Sequence, residues 1–322
     1  MLAIQAVRAG GPDVLEPVQI DPPAAGEGQV VVRHEAIGLN YIDTYQRSGL
    51  YPMRFPAVLG QEGAGVVEAA GPGVTRFKVG DRVAYSGLSG AYAELQAVPA
   101  ERVLALPEGV SAEVAAASLL KGMTAEFLLR RCYSLEAGET ILVHAAAGGV
   151  GTILVQWAKA IGATVIGTVG SDEKARLARE LGCDHVILYR TEDVAKRVRE
   201  ITGGAGVPVA YDSVGKDTFE GTLASVARRG LFVSFGNASG PVPAFEPLRL
   251  SRAGSIYFTR PTLFDYAATR AELEESAGAF FGMVASGGVR VEIGQRFKLA
   301  DARKAHEALE SRETIGSSVL LP

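Results

Sequence analysis

The sequence predicts an α/β protein in which a doubly wound parallel sheet is inserted into a β-rich, barrel-like domain. Three observations predict it. From about residue 111, short apolar runs alternate with helical stretches, as in a parallel sheet covered by helices on both faces. Before that point, short β-rich runs alternate with Gly, Pro and Asp turn signals, an antiparallel pattern. Within the alternating part, residues 141–157 place a glycine turn between an apolar strand and an apolar-periodic helix.

In the N-terminal part, strands are expected at Val30–Val32, Gly65–Val67, Asp81–Tyr85 and Tyr92–Leu95, separated by turns such as Gly71-Pro72-Gly73 and Val79-Gly80-Asp81. Ser111 caps an Ala-rich helix over Ala112–Leu120, and another helix is expected from Thr124 to Arg131. The regular alternation follows: strand 141–144, helix 150–161, strand Thr164–Thr168, helix Asp172–Leu181, strand Val186–Leu188 and helix Asp193–Ile201. It continues with strand Val207–Tyr211, helix Thr218–Ala227, strand Gly230–Phe235 and a further strand near Ser255–Thr259. A long helix, Asp265–Ser286, then leads to Phe297–Pro322, which returns to the first domain. The expected division is therefore 1–121 plus 261–322 in one domain and 122–260 in the other, with a cleft between them.

Composition narrows the function classes. The 322 residues are 48% hydrophobic and 21% charged, an ordinary globular balance with room for two domains. A net charge of −4 offers no global attraction to nucleic acid or an anionic membrane. No run approaches the roughly 18 apolar residues that span a bilayer, and no signal-peptide pattern opens the chain, so a cytoplasmic location is expected. Two cysteines, Cys132 and Cys183, are too few for a disulfide framework or a Cys-rich zinc site.

Strand, glycine turn and helix in that order make the first half of a dinucleotide-binding βαβ unit, so the inserted sheet is expected to be of Rossmann type. Gly148 and Gly149 allow close approach of a pyrophosphate, Val150 opens the helix, and Gly151 lets that helix pack against the strand. The helix N-terminus offers unpaired N–H groups to the phosphates. The spacing is AxxGxxG, with Ala145 in the place of the usual first glycine. An NAD site normally carries an acid at the end of the second strand. Here that end reads Gly167-Thr168-Val169-Gly170-Ser171, and Asp172 falls in the following helix. Ser171, Lys174 and the helix N-terminus can hold a 2′-phosphate, with Tyr189 and Arg190 near the same end of the cofactor. The expected cofactor is NADPH.

Several segments together carry a family likeness. They are Asn40-Tyr41-Ile42-Asp43-Thr44-Tyr45, Arg47–Pro52, Leu120–Thr124, His144–Gly151, Tyr211–Gly215 and Val233–Asn237. The chain resembles the zinc-independent quinone oxidoreductases of the medium-chain dehydrogenase/reductase superfamily, the ζ-crystallin-like branch. The likeness runs essentially end to end. It implies a GroES-like first domain, NADPH-dependent reduction of a quinone, and a homodimer joined edge to edge through the nucleotide-domain sheets near Ser255–Thr259. Zinc-dependent relatives place a Cys in the loop that here ends in Asn40, and a His-Glu pair where this chain has Gln61-Glu62. The ligands are thus gone, and no metal is expected.

The likeness also implies site residues. Thr124, Gly149, Val150, Ser171, Lys174, Tyr189, Asn237 and Arg312 are expected at NADPH, with Gly170 a backbone neighbour and Arg260 a further contact; Arg312 could instead be a solvated charge. Asn40, Asp43, Tyr45 and Tyr51 lie in the loop the family places beside the nicotinamide. Tyr45 and Tyr51 can stack on a flat ring or donate to its oxygen, and Asn40 can bond substrate or ribose. No dedicated general acid is implied. Two other functions compete with quinone reduction. One is NADPH-dependent reduction of the C=C bond of enones and alkenals. The other, from a different class, is a structural, crystallin-like or RNA-binding role, against which the negative charge and the lack of an aromatic/basic RNA motif argue.

Overall fold

The computed structural model describes residues 1–322. The chain forms two compact units, Met1–Lys121 with Ala267–Ala285 and Val291–Pro322, and Gly122–Tyr266 with Ser286–Arg290.

The first unit starts with β1 (Leu2–Ala6), β2 (Leu15–Gln19), β3 (Gln29–Leu39), α1 (Tyr41–Ser48) and β4 (Ala57–Val58). It continues with β5 (Glu62–Ala70), β6 (Arg82–Ser86), β7 (Leu95–Pro99), β8 (Val103–Ala105) and the start of α2 (Ala112–Phe127). Eleven-residue β3 organises it. One edge pairs with β5, while the other pairs with β7 over Gln29–Arg33. Its far half leaves β7 for the C-terminal strand of the chain, at Ile37–Leu39. That change of partner bends the sheet around a core of Val30, Val32, Ile37, Leu39, Val67, Tyr85 and Tyr92. Gly38 is glycine for a packing reason. A Cβ there would lie 2.1 Å from the Ala116 carbonyl oxygen and 2.2 Å from Glu62 Oε1.

The second unit carries β9 (Thr140–Val143), α3 (Gly149–Ile161), β10 (Thr164–Val169), α4 (Asp172–Glu180), β11 (His185–Leu188) and α5 (Val194–Ile201). Then come β12 (Val207–Asp212), α6 (Phe219–Ser225), β13 (Val226–Ser234), α7 (Leu248–Arg252), β14 (Tyr257–Thr259) and α8 (Leu263–Tyr266). The six strands are all parallel, in the order β11-β10-β9-β12-β13-β14. The order reverses beside β9, and this switch point is where such sheets bind nucleotides. Buried apolar runs on both faces of β9, β10 and β12 are what a parallel sheet requires. Phe219, Phe232, Phe245 and Phe258 form one aromatic cluster on the side toward β14, the outer strand. The chain closes in the first unit with α9 (Arg270–Ala285), β15 (Ile293–Lys298), α10 (Ala302–Glu310) and β16 (Ser317–Leu321).

Several expected elements differ. The strand expected at Tyr92–Leu95 begins only at Leu95, because Tyr92 and Glu94 bond β1 instead (Ile4 N–H to Tyr92 O, 2.8 Å; Glu94 N–H to Leu2 O, 3.1 Å). The two helices expected over 112–131 are one, α2, followed by a wider turn at Leu128–Cys132; Gly122 costs about 1 kcal/mol in a helix and does not break it. The long helix expected from Asp265 is divided. Thr269 and Glu272 exchange side-chain and backbone bonds as a capping box, and α9 starts afresh there.

Candidate functional site

The glycine turn is built as its residue types dictate. Ala145 sits at φ +52°, the left-handed conformation that glycine takes more readily. Gly148 is the N-cap of α3 and bonds back to Ala145 O at 2.9 Å. A Cβ on Gly151 would approach Ala145 O to 2.2 Å, so glycine is what lets α3 close on the turn. The first-turn N–H groups of Gly149, Val150 and Gly151 have no intrahelical acceptor, which fits the turn to a phosphate group.

Ser171, Lys174, Tyr189, Asn237 and Arg260 follow the carboxyl ends of strands of the parallel sheet. Ser171 caps α4, its Oγ accepting from Lys174 N–H at 3.4 Å, and Lys174 stands in the same first turn. Tyr189, just past β11, lies over Gly170, since a Cβ there would meet the tyrosine oxygen at 2.5 Å. Asn237 follows β13 and Arg260 follows β14. Thr124 is buried in the part of α2 that belongs to this unit. Arg312 stands in the other unit, after α10, at φ +61°.

A buried network fixes the strand ends around the turn. His144 Nδ1 is 3.0 Å from Thr168 Oγ1, and its Nε2 is 2.9 Å from Thr222 Oγ1, which donates to Asp212 Oδ2 at 2.9 Å. Asp212 Oδ1 accepts from Val214 and Gly215 N–H. Burial holds the His144 ring below its ordinary pKa, with Asp212 opposing. His144 thus packs as a neutral brace between the ends of β10 and β12.

In the first unit, the structure brings Asn40, Asp43, Tyr45 and Tyr51 together around α1. Asn40 caps the helix, and its N–H donates to Asp43 Oδ2 at 2.8 Å. Its Nδ2 donates to Glu62 Oε1 at 2.9 Å. The Tyr45 and Tyr51 rings meet edge-on, centroids 5.3 Å apart. Asp43 is wholly buried, and its Oδ1 has no hydrogen-bond partner. Desolvation pushes its pKa up to about 7, against the Asn40 and Tyr92 hydrogen bonds; the Glu62 charge raises it and Lys121 lowers it.

A chain of hydrogen bonds reaches Asp43 from buried Arg47. Arg47 Nη1 can only donate, so His306 Nδ1 accepts at 2.9 Å, leaving the ring hydrogen on Nε2. Nε2 donates to the Tyr92 oxygen at 3.0 Å, and Tyr92 donates to Asp43 Oδ2 at 2.9 Å. Burial and then Arg47 push His306 down to about 3, in keeping with a neutral ring. Arg47 also pairs with Glu310 at 2.7 Å, and Tyr41 donates to Leu309 O at 2.9 Å, so α10 and the turn bearing Arg312 are tied to α1.

Glu62 is the centre of a second cluster. Beside Asn40, its Oε2 accepts from Leu120 N–H at 2.7 Å and its Oε1 from Lys121 Nζ at 3.1 Å, a buried ion pair. Gln61 bonds Gln46 and Ser89 instead. Both Glu62 oxygens are engaged by protein donors, and no group of three or more His, Cys, Asp or Glu side chains is placed to hold a metal ion. The sequence alone does not mark Glu62 as a partner for these donors, nor the roles of Lys121, Tyr92, His306 and Arg47 in the two networks. One signal was present: Lys121 interrupts the apolar run Ala115–Met123, where a charge is out of place.

Comparison with known proteins identifies the family. Residues 26–108 match the alcohol dehydrogenase GroES-like domain family, and 149–280 the zinc-binding dehydrogenase family. Over 321 residues the chain is 56% identical to a quinone oxidoreductase of Pseudomonas aeruginosa, covering 99% of each. This chain belongs to the quinone oxidoreductase family of medium-chain dehydrogenases/reductases. Its fold superposes on the Escherichia coli quinone oxidoreductase complexed with NADPH at a TM-score of 0.98, with 48% identity and 100% of both chains covered. A 2-haloacrylate reductase of Burkholderia sp. is 45% identical over 98% of this chain and 97% of its own.

Proposed function

We propose that the protein transfers reducing equivalents from NADPH to a quinone without a metal. One observation carries the cofactor half: two helix N-termini stand at the carboxyl ends of the adjacent strands β9 and β10, one under a glycine turn, the other beside Ser171 and Lys174 where an NAD site has an acid. That pair suits the pyrophosphate and the 2′-phosphate of NADPH. When bound, NADPH supplies the hydride. Thr124, Asn237, Tyr189, Arg260 and Arg312 complete its contacts, and residues 122–260 are its domain. Residues 1–121 with 261–322 receive the acceptor: Tyr45 and Tyr51 offer ring faces and hydroxyls, and Asn40 an amide.

Asp43 acts at one remove, by holding the backbone of Asn40. The Arg47 chain is not a proton wire, because a guanidinium does not give up its proton. Protons for the reduced quinone come from solvent. The protein works in the cytoplasm as a homodimer joined through the outer edge of β14, whose Tyr257 is exposed. No helix is long and apolar enough to cross a membrane.

Steady-state rates on quinone and enone panels, with NADPH and NADH, test the reading. NADPH-preferring quinone turnover is expected, and turnover of enones alone would overturn it.

A further inference from the structure

We propose that Lys121 is a catalytic residue, its ammonium donating to the acceptor oxygen on which negative charge builds as the hydride arrives. The inference rests on reading Asn40–Tyr51 as the acceptor segment. An ammonium has three donors. One goes to Glu62 Oε1, and the protein supplies no acceptor for the other two. Lys121 is 5% exposed, so water does not freely replace them.

A merely structural role accounts poorly for this. Glu62 already accepts from Asn40 Nδ2 and Leu120 N–H. Burying an ion pair is often no better for stability than apolar side chains of the same volume. The pair is held in one place, however. Gly38 leaves room for the Glu62 carboxylate against the Ala116 carbonyl, and Glu62 fixes Lys121 on the same oxygen that receives Asn40. A preorganised, partly unpaired cation beside the Asn40 amide is the arrangement that stabilises a developing oxyanion.

The chemistry balances. Bound NADPH would supply hydrogen with its electron pair from the nicotinamide C4–H bond to form a bond to the quinone, leaving NADP⁺. The ring's displaced pair rests on a quinone oxygen, giving the hydroquinone monoanion, and a solvent proton completes the hydroquinone. Lys121 keeps its own proton throughout.

The test compares wild type with Lys121→Met, Lys121→Arg and the double variant Glu62→Gln/Lys121→Met, which leaves no unpaired buried charge. NADPH binding is followed by fluorescence and turnover with 1,4-benzoquinone. The double variant is expected to unfold closer to wild type than Lys121→Met does. It should bind NADPH within about twofold of wild type, yet lose about 100-fold in kcat, as for removal of an oxyanion donor; Lys121→Arg should recover part of that loss. Wild-type kcat in the double variant, or a kcat loss matched by an equal loss of NADPH affinity, would overturn the proposal. Should the wild type reduce enones and not quinones, the quinone reading fails, but the same variants still report on Lys121, because an enolate oxygen gathers the same charge.

Discussion

Replacing Asp43 with Asn keeps a carbonyl oxygen for the Asn40 N–H and the Tyr92 hydroxyl, and removes a charge that the fold scarcely solvates. The amide nitrogen then stands where Oδ1 has no partner, at a fixed cost of about 1–3 kcal/mol. That cost does not vary with pH; the contribution of the carboxyl does. Its pKa is pushed from 3.8 up to about 7 in the folded protein. The folded state therefore holds the proton more tightly than the unfolded chain. The stability contributed by the protonated carboxyl is complete below about pH 4, falls as pH rises toward 7, and is lost above it. Roughly three pH units at 1.36 kcal/mol each make about 4 kcal/mol. Urea unfolding of both proteins from pH 4.5 to 8.5 measures it, since the groups common to both cancel in the difference. The variant should gain on the wild type by about 1.4 kcal/mol per pH unit between pH 4.5 and 7, then level off. A difference that stays constant across the range would refute the reasoning: Asp43 would then titrate alike folded and unfolded.

Other expectations concern single positions. Lys174→Ala should raise the NADPH Kd about tenfold or more and leave the NADH Kd nearly unchanged, since a charge-assisted bond to the 2′-phosphate is worth about 1.5–3 kcal/mol; titration with both cofactors decides. Gly151→Ala should destabilise by about 1–3 kcal/mol and weaken NADPH binding, because the new methyl must displace the Ala145 carbonyl; an unchanged melting curve would contradict the packing. Ala145→Gly should stabilise by about 0.5–1 kcal/mol, relief of the left-handed φ exceeding the added chain entropy, as read from urea midpoints. His306, held down to about 3, binds its proton less well folded than unfolded. It subtracts stability as pH falls below about 6.5, so His306→Gln should flatten the acid limb of the unfolding midpoint against pH.

The cofactor half of the fold was legible because its signals are local. A strand, a glycine turn and a helix occupy seventeen consecutive residues, and the missing acid is read at one strand end. The surroundings of Asn40 and Asp43 are assembled over distance. Tyr92 reaches Asp43 across 49 positions and His306 across 214, and Lys121 reaches Glu62 across 59. No periodicity records such pairs. The motif residues Asn40, Asp43 and Tyr45 could be named, but not the fact that Asp43 points inward while two buried networks hold Asn40.

That distinction separates two kinds of work in one short segment. Asp43 is wholly buried, receives a polarised string of donors and borders no exposed atom of its own. Arg47 stands at the head of the string with its charge shared between Glu310 and His306. Moving a proton along it would require a deprotonated guanidinium or a doubly deprotonated imidazole, and both lie far from neutral conditions. The string is therefore a fixed dipole that steadies the carboxylate as the cap of Asn40. Asn40 in turn bonds Glu62, which holds the Lys121 ammonium. The charge that can meet a reacting oxygen stands at the Lys121 end of this succession, and the one that sets the backbone stands at the Arg47 end.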